Sequence, residues 1–96
     1  MKINVKKVKA WQNDQTAPTV LGFFGNITEE VKEIFKEVSK ITESANTREH
    51  MGKFYYNNNE KFWYVRDKAA ADMAMEKINK KFGKDTAKLT WQTVLN

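Results

Sequence analysis

The residues best equipped for chemistry in this chain are aromatic and cationic, and they gather in two stretches, "GFFG" at 22–25 and "KFYYNNNEKFWYVR" at 53–66. Ring faces beside ammonium and guanidinium groups suit stacking on a flat π-system and neutralising the charge it carries. The ingredients of catalysis are scarce. His50 is the single histidine and reads as a loop residue, with no nearby carboxylate spacing that would make it a base. "GFFG" has neither the spacing nor the Lys-Ser/Thr of a phosphate loop. With no cysteine and one histidine, no typical zinc set can be built. Glu29, Glu30, Glu33 and Glu37 interleave with Lys32 and Lys36, a pattern that solvated i,i+3 pairs explain without a metal. The pattern predicts a binding protein, with no enzymatic activity, cofactor or metal.

Charge narrows the partner. Seventeen Lys and Arg against twelve Asp and Glu leave a formal charge of +5, which attracts anions at long range. Only Arg48 and Arg66 are arginines. Reading of base edges leans on arginine forks, so contacts to nucleic acid should fall mostly on its backbone. "MKINVKKVKAW" is too broken by lysine to be the apolar segment of a signal peptide, and no apolar run approaches the ~20 residues that span a bilayer. The expectation is a soluble, cytoplasmic protein without a membrane partner, the missing cysteines fitting a reducing compartment.

These residues need a frame to hold them. A chain of 96 residues makes one domain and buries about 60–65% of its unfolded surface. Residues 1–18 read as an N-terminal strand or arm and a loop, with an alternation at 2–11 that slips at Lys6-Lys7; residues 19–96 read as the domain proper. Strand 19–24 precedes a helix whose stripe is Ile27, Val31, Ile34, Phe35, Val38 and Ile41, capped by Asn26 or Thr28. Residues 42–50 lack the stripe and read as a connection. Residues 52–65 form a hairpin whose asparagines tolerate a left-handed turn. A second helix at 68–82, with Asp67 as cap and Gly83 as stop, leads to a strand at 86–95. Met73 and Met75 read as core filler.

From residue 19 the order is β-α-β-β-α-β, an α+β, ferredoxin-like two-layer sandwich with an additional N-terminal strand or arm. Both helices cover one sheet face and leave the other open. Alternation assigns Phe24, Phe54, Trp63, Val65, Leu89 and Trp91 to the helices. Phe23, Tyr55, Phe62 and Tyr64 then lie on the open face, with Lys53, Arg66 and Lys88 beside them. This assumes a loop at 57–60 that sets Tyr55 opposite Phe62 and Phe54 opposite Trp63.

"FFGNI" at 23–27 followed by "TEEVKEIFKEV" resembles the first strand and helix of the RNA-recognition motif (RRM) family, and "KFWYVRDKAAADMAMEKIN" at 61–79 is similar to that family's second signature and second helix. The resemblance covers roughly residues 19–94. It implies that Phe23, Phe62 and Tyr64 stack on bases of single-stranded RNA. Trp63 stands where the family has a small residue, and a second register puts Glu60 at the first aromatic position, leaving Phe62 and Phe23 as the platform. In the family's strand order, 19–24 has a neighbour on each side, so residues 2–11 must join a sheet edge or lie over the open face. Pairing of 2–11 with 19–24 would give a different topology, and the RRM reading would then fail. "PTVLGFF" at 18–24 is also similar to the opening strand of non-catalytic thioredoxin-like domains, which would imply a redox-inert peptide binder. The functional expectation is binding of single-stranded RNA or DNA on the open face, against a competing protein partner on the same aromatics.

Overall fold

The computed structural model describes residues 2–10, 19–45 and 52–94, with side chains at 42–45 and 90–94 outside the description. His50, Arg48, the loop at 13–18 and the side chain of Trp91 therefore lie outside the described residues. Seven elements follow one another: β1 (Ile3–Lys9), β2 (Thr19–Gly25), α1 (Glu29–Ala45), β3 (Tyr55–Asn57), β4 (Phe62–Val65), α2 (Lys68–Phe82) and β5 (Ala87–Val94). They build an α+β sandwich of one five-stranded mixed sheet in the order β3-β4-β2-β1-β5 and two helices. No described helix is long and apolar enough to cross a membrane.

From β2 onward the elements run in the ferredoxin-like order, and the extra N-terminal strand is present. Its place is inside the sheet. β1 pairs antiparallel with β2 over seven successive residues, Ile3 opposite Gly25 through Lys9 opposite Thr19, and parallel with β5 on its other side. The expectation of an edge or an overlying arm is thereby corrected: with residues 3–9 paired to 19–25 the topology is the different one, the pairing under which the RRM strand order does not hold. The reason is visible in β1 itself. Ile3 and Val5 join the core beneath the helices, whereas Val8 and Ala10 join a second cluster on the far face. A strand with apolar residues on both faces belongs in the interior of a sheet. The slip at Lys6-Lys7 matches a register shift against β5 between Val5 and Lys7.

α1 forms for the reasons its stripe suggests. Val31, Ile34, Phe35 and Val38 are buried, and Thr28 Oγ1 accepts from Val31 N at 3.3 Å as the cap. Asn26 is used elsewhere, accepting from Lys2 N at 3.3 Å. The helix continues to Ala45, so residues 42–45 are helical rather than connecting. Glu29 and Glu33 pair with Lys32 and Lys36 at i,i+3, as the sequence suggested, while Glu30 and Glu37 reach across to Lys81 and Lys77 of α2. α2 begins at its Asp67 cap and stops at Gly83, whose φ of 119° suits glycine. Ala70, Ala71 and Ala74 are fully buried and let that helix approach closely. Asn79 ties α2 to β5, donating to Ala87 O at 3.0 Å and accepting from Ala87 N at 2.7 Å.

The core is aromatic at its centre. Phe35 stacks on Phe54 at 4.6 Å, meets Phe23 edge-on at 5.1 Å and lies 5.6 Å from Trp63. Met73 and Met75 pack half-buried against it. In the β3–β4 turn Lys61, not an asparagine, takes the left-handed conformation, with φ 58°, and donates its N–H to Asn57 O at 2.7 Å.

Candidate functional site

The far sheet face is reached by asking which side chains each strand sends there. β2 is central and apolar on both sides: Leu21 and Phe23 join the helix-side core, Val20 and Phe24 the far-face cluster. Pairing decides the matter, because residues opposite each other share a face. Leu21 pairs with Val65 and Phe23 with Trp63, so Phe23 must follow Trp63 inward. The placement of Phe23 on the open face is corrected accordingly. It is 0% exposed and lies among Phe35 and Phe54. Phe24 is the phenylalanine that faces out, and it leaves the helix-facing set.

The hairpin register also differs in detail. Tyr55 pairs with Tyr64 and Asn57 with Phe62, a shift of two residues that keeps Tyr55 on the far face and Phe54 in the core. Four rings then form a continuous row across three strands. Tyr55 stacks on Tyr64 at 5.7 Å, Tyr64 leans on Phe62 at 6.0 Å, and Phe62 stacks on Phe24 at 4.7 Å. Each end of the row carries a cation: Lys53 Nζ lies 5.6 Å from the Tyr55 ring centre and Lys6 Nζ 5.4 Å from that of Phe24. Lys88 on β5 is exposed opposite Asn4, further along the same face, and Arg66 is exposed just past the end of β4.

One member of the row is out of reach. Phe62 is 3% exposed, packed with Val8, Ala10 and Val20, so its expected role as a stacking ring is corrected to a structural one. Part of its cover is Ala10, in the bend just past the last residue of β1. Asn57 Nδ2 donates to Ala10 O at 2.6 Å, so the chain leaving β1 comes back to the β3–β4 turn on the far face. Asn57 Oδ1 also accepts from Asn59 N and Glu60 N, each at 3.0 Å, and Nδ2 donates to Glu60 Oε2 at 3.3 Å, so one side chain holds both the hairpin turn and the bend at Ala10.

Gly22 makes room for the rings on this face. A Cβ there would lie 2.8 Å from Phe24, 3.0 Å from Val8 and 3.1 Å from Phe62. Three neighbours would have to move together, and overpacking of this kind costs about 1–3 kcal/mol. Gly22→Ala is expected to lower stability by that amount in urea denaturation and to part Phe24 from Phe62, read as altered ring proton shifts. An unchanged midpoint with unchanged ring shifts would contradict the packing described.

The accessible part of the site is therefore Phe24, Tyr64 and Tyr55, all half-buried, bracketed by Lys6 and Lys53 with Lys88 and Arg66 nearby. Sequence reasoning missed Phe24 and Asn57. The signal for Phe24 was Gly22, since a glycine inside a strand marks close approach by a neighbour. Among the described residues no three His, Asp or Glu gather where a metal could bind. Family models, curated proteins and solved structures provide no match to this chain. The fold and site define a class, a two-layer α+β domain with an aromatic-basic sheet face, and the function is argued from that face.

Proposed function

We propose that this chain is a cytoplasmic, non-enzymatic binding domain that holds single-stranded RNA or DNA on the sheet face away from its helices. The observation that carries the reading is the ring row with an ammonium at each end. Phe24, Tyr64 and Tyr55 stack on bases, each contributing ~1–3 kcal/mol with little regard for sequence. Lys6, Lys53, Lys88 and Arg66 neutralise phosphates. The likeness to the RNA-recognition motif enters as an analogy of an aromatic sheet face, with the stacking residues redrawn for this chain.

Binding driven by those cations should be steeply salt-dependent. Four phosphate contacts on a single strand give a log–log slope near −3, so affinity should fall about 50-fold between about 50 and 200 mM salt. Fluorescence anisotropy with labelled mixed-sequence single strands reads this directly. Micromolar binding at low salt with such a slope supports the reading. Absence of binding at tens of micromolar protein at low salt would overturn it and assign the exposed rings to a protein partner.

A further inference from the structure

We propose that a second site lies on the other side of the β3–β4 hairpin, a cleft that binds a small planar anion: an aromatic ring bearing one carboxylate or phosphate. The cleft holds ≈ 400 Å³ and is lined by Gly25, Ile27, Lys32, Tyr56, Lys61 and Trp63. That volume is within the range of small-molecule sites. It is separate from the far sheet face, because Trp63 projects to the helix side and packs there on Phe35 at 5.6 Å.

Its chemistry is specific. The Tyr56 and Trp63 rings meet at 5.3 Å and 50°, an open angle rather than a closed stack, which leaves ring surface for a third ring. Tyr56 is 45% exposed, one of two large hydrophobic residues so exposed among those described. Trp63 is held from behind, so a ligand ring meets a preformed surface. Two ammonium groups line the same cleft. Lys32 is engaged by Glu29 at 3.1 Å, but Lys61 has no ion-pair partner among the described residues. Lys61 also occupies a left-handed position, φ 58°, where asparagine or glycine is commoner. Gly25 lines the cleft with backbone; its φ of 117° and the Lys2 carbonyl beside it account for the glycine. Two open rings and a cation without an ion-pair partner among the described residues converge on a ligand that is flat and negative.

The test is a titration of the ¹⁵N-labelled protein with indole-3-acetate and with adenosine 5′-monophosphate, followed by amide and indole N–H shifts. Indole, adenosine, acetate and inorganic phosphate serve as the part-ligands. At least one of the two complete anions should shift Gly25, Lys61 and the Trp63 indole N–H with a Kd of about 1 mM or tighter, a range that ligands of this size reach. Its part-ligands should bind more weakly. Lys61→Asn keeps a residue that tolerates the turn and removes the charge; it should weaken binding about three- to fivefold. Tyr56→Ser, at an exposed position, should weaken it as well. The proposal is overturned if neither anion shifts the cleft at about 10 mM, if shifts fall only on Phe24, Tyr64 and Lys6, or if a part-ligand binds as tightly as the whole.

Discussion

Replacing Phe23 by alanine should cost about 3–5 kcal/mol of stability, whereas replacing its neighbour Phe24 should cost about 1 kcal/mol. The two residues differ only in which way the strand sends them. Phe23 is 0% exposed and touches Phe35 and Phe54 edge-on at 5.1 and 5.6 Å, in the densest part of the aromatic core. Removing its ring leaves a cavity that α1, fixed through its own buried stripe, cannot collapse to fill. Phe24 is half-exposed and rests on Phe62, so its loss frees a face already partly in water. A domain of this size has a total stability of about 5–14 kcal/mol, so Phe23→Ala removes a large fraction of it. Urea denaturation of the two variants side by side measures the contrast. Equal losses, or a larger loss at Phe24, would mean that the strand faces the other way.

Asn57→Ala should cost about 3 kcal/mol, more than a hairpin asparagine ordinarily carries. Four hydrogen bonds end on this one side chain, and the shortest, 2.6 Å to Ala10 O, is buried. The substitution strands a buried carbonyl and releases the bend at Ala10 that packs on Phe62. Asn57→Asp should be no rescue. It restores the acceptor for Asn59 and Glu60 but sets an oxygen against Ala10 O, where a donor is needed. Beyond the lowered denaturation midpoint, hydrogen exchange should accelerate at the Asn59 and Glu60 amides. Fast exchange there with an unchanged midpoint would show that the turn depends on Asn57 and the bend at Ala10 does not.

How legible these features were in the sequence depends on whether their causes are local. The helix stripe at Val31, Ile34, Phe35 and Val38, the Asp67 cap and the Gly83 stop are set by neighbours within a turn or two, and all stand where periodicity puts them. On β4 the alternation also had a sign, because Trp63 and Val65 against Phe62 and Tyr64 are followed by the same division across the hairpin. β2 offered no sign. Val20 and Phe24 are as apolar as Leu21 and Phe23, which is what a strand covered on both faces requires, and only its pairing with β4 orients it. The same holds for β1, whose two apolar pairs serve opposite faces. The bond between Asn57 and Ala10 spans 47 residues of chain, and nothing near either residue announces it.

The redrawn stacking surface is the central claim, and Tyr64 is its middle accessible ring. The most direct test is the affinity of Tyr64→Ala for a labelled mixed-sequence single-stranded RNA at low salt, measured beside the unmodified protein by anisotropy. The variant's fold is checked first by its denaturation midpoint. Loss of one stacking ring predicts binding weakened about five- to a hundredfold, with the salt slope unchanged because no cation is removed. A folded variant that binds as tightly as the unmodified protein would contradict the account.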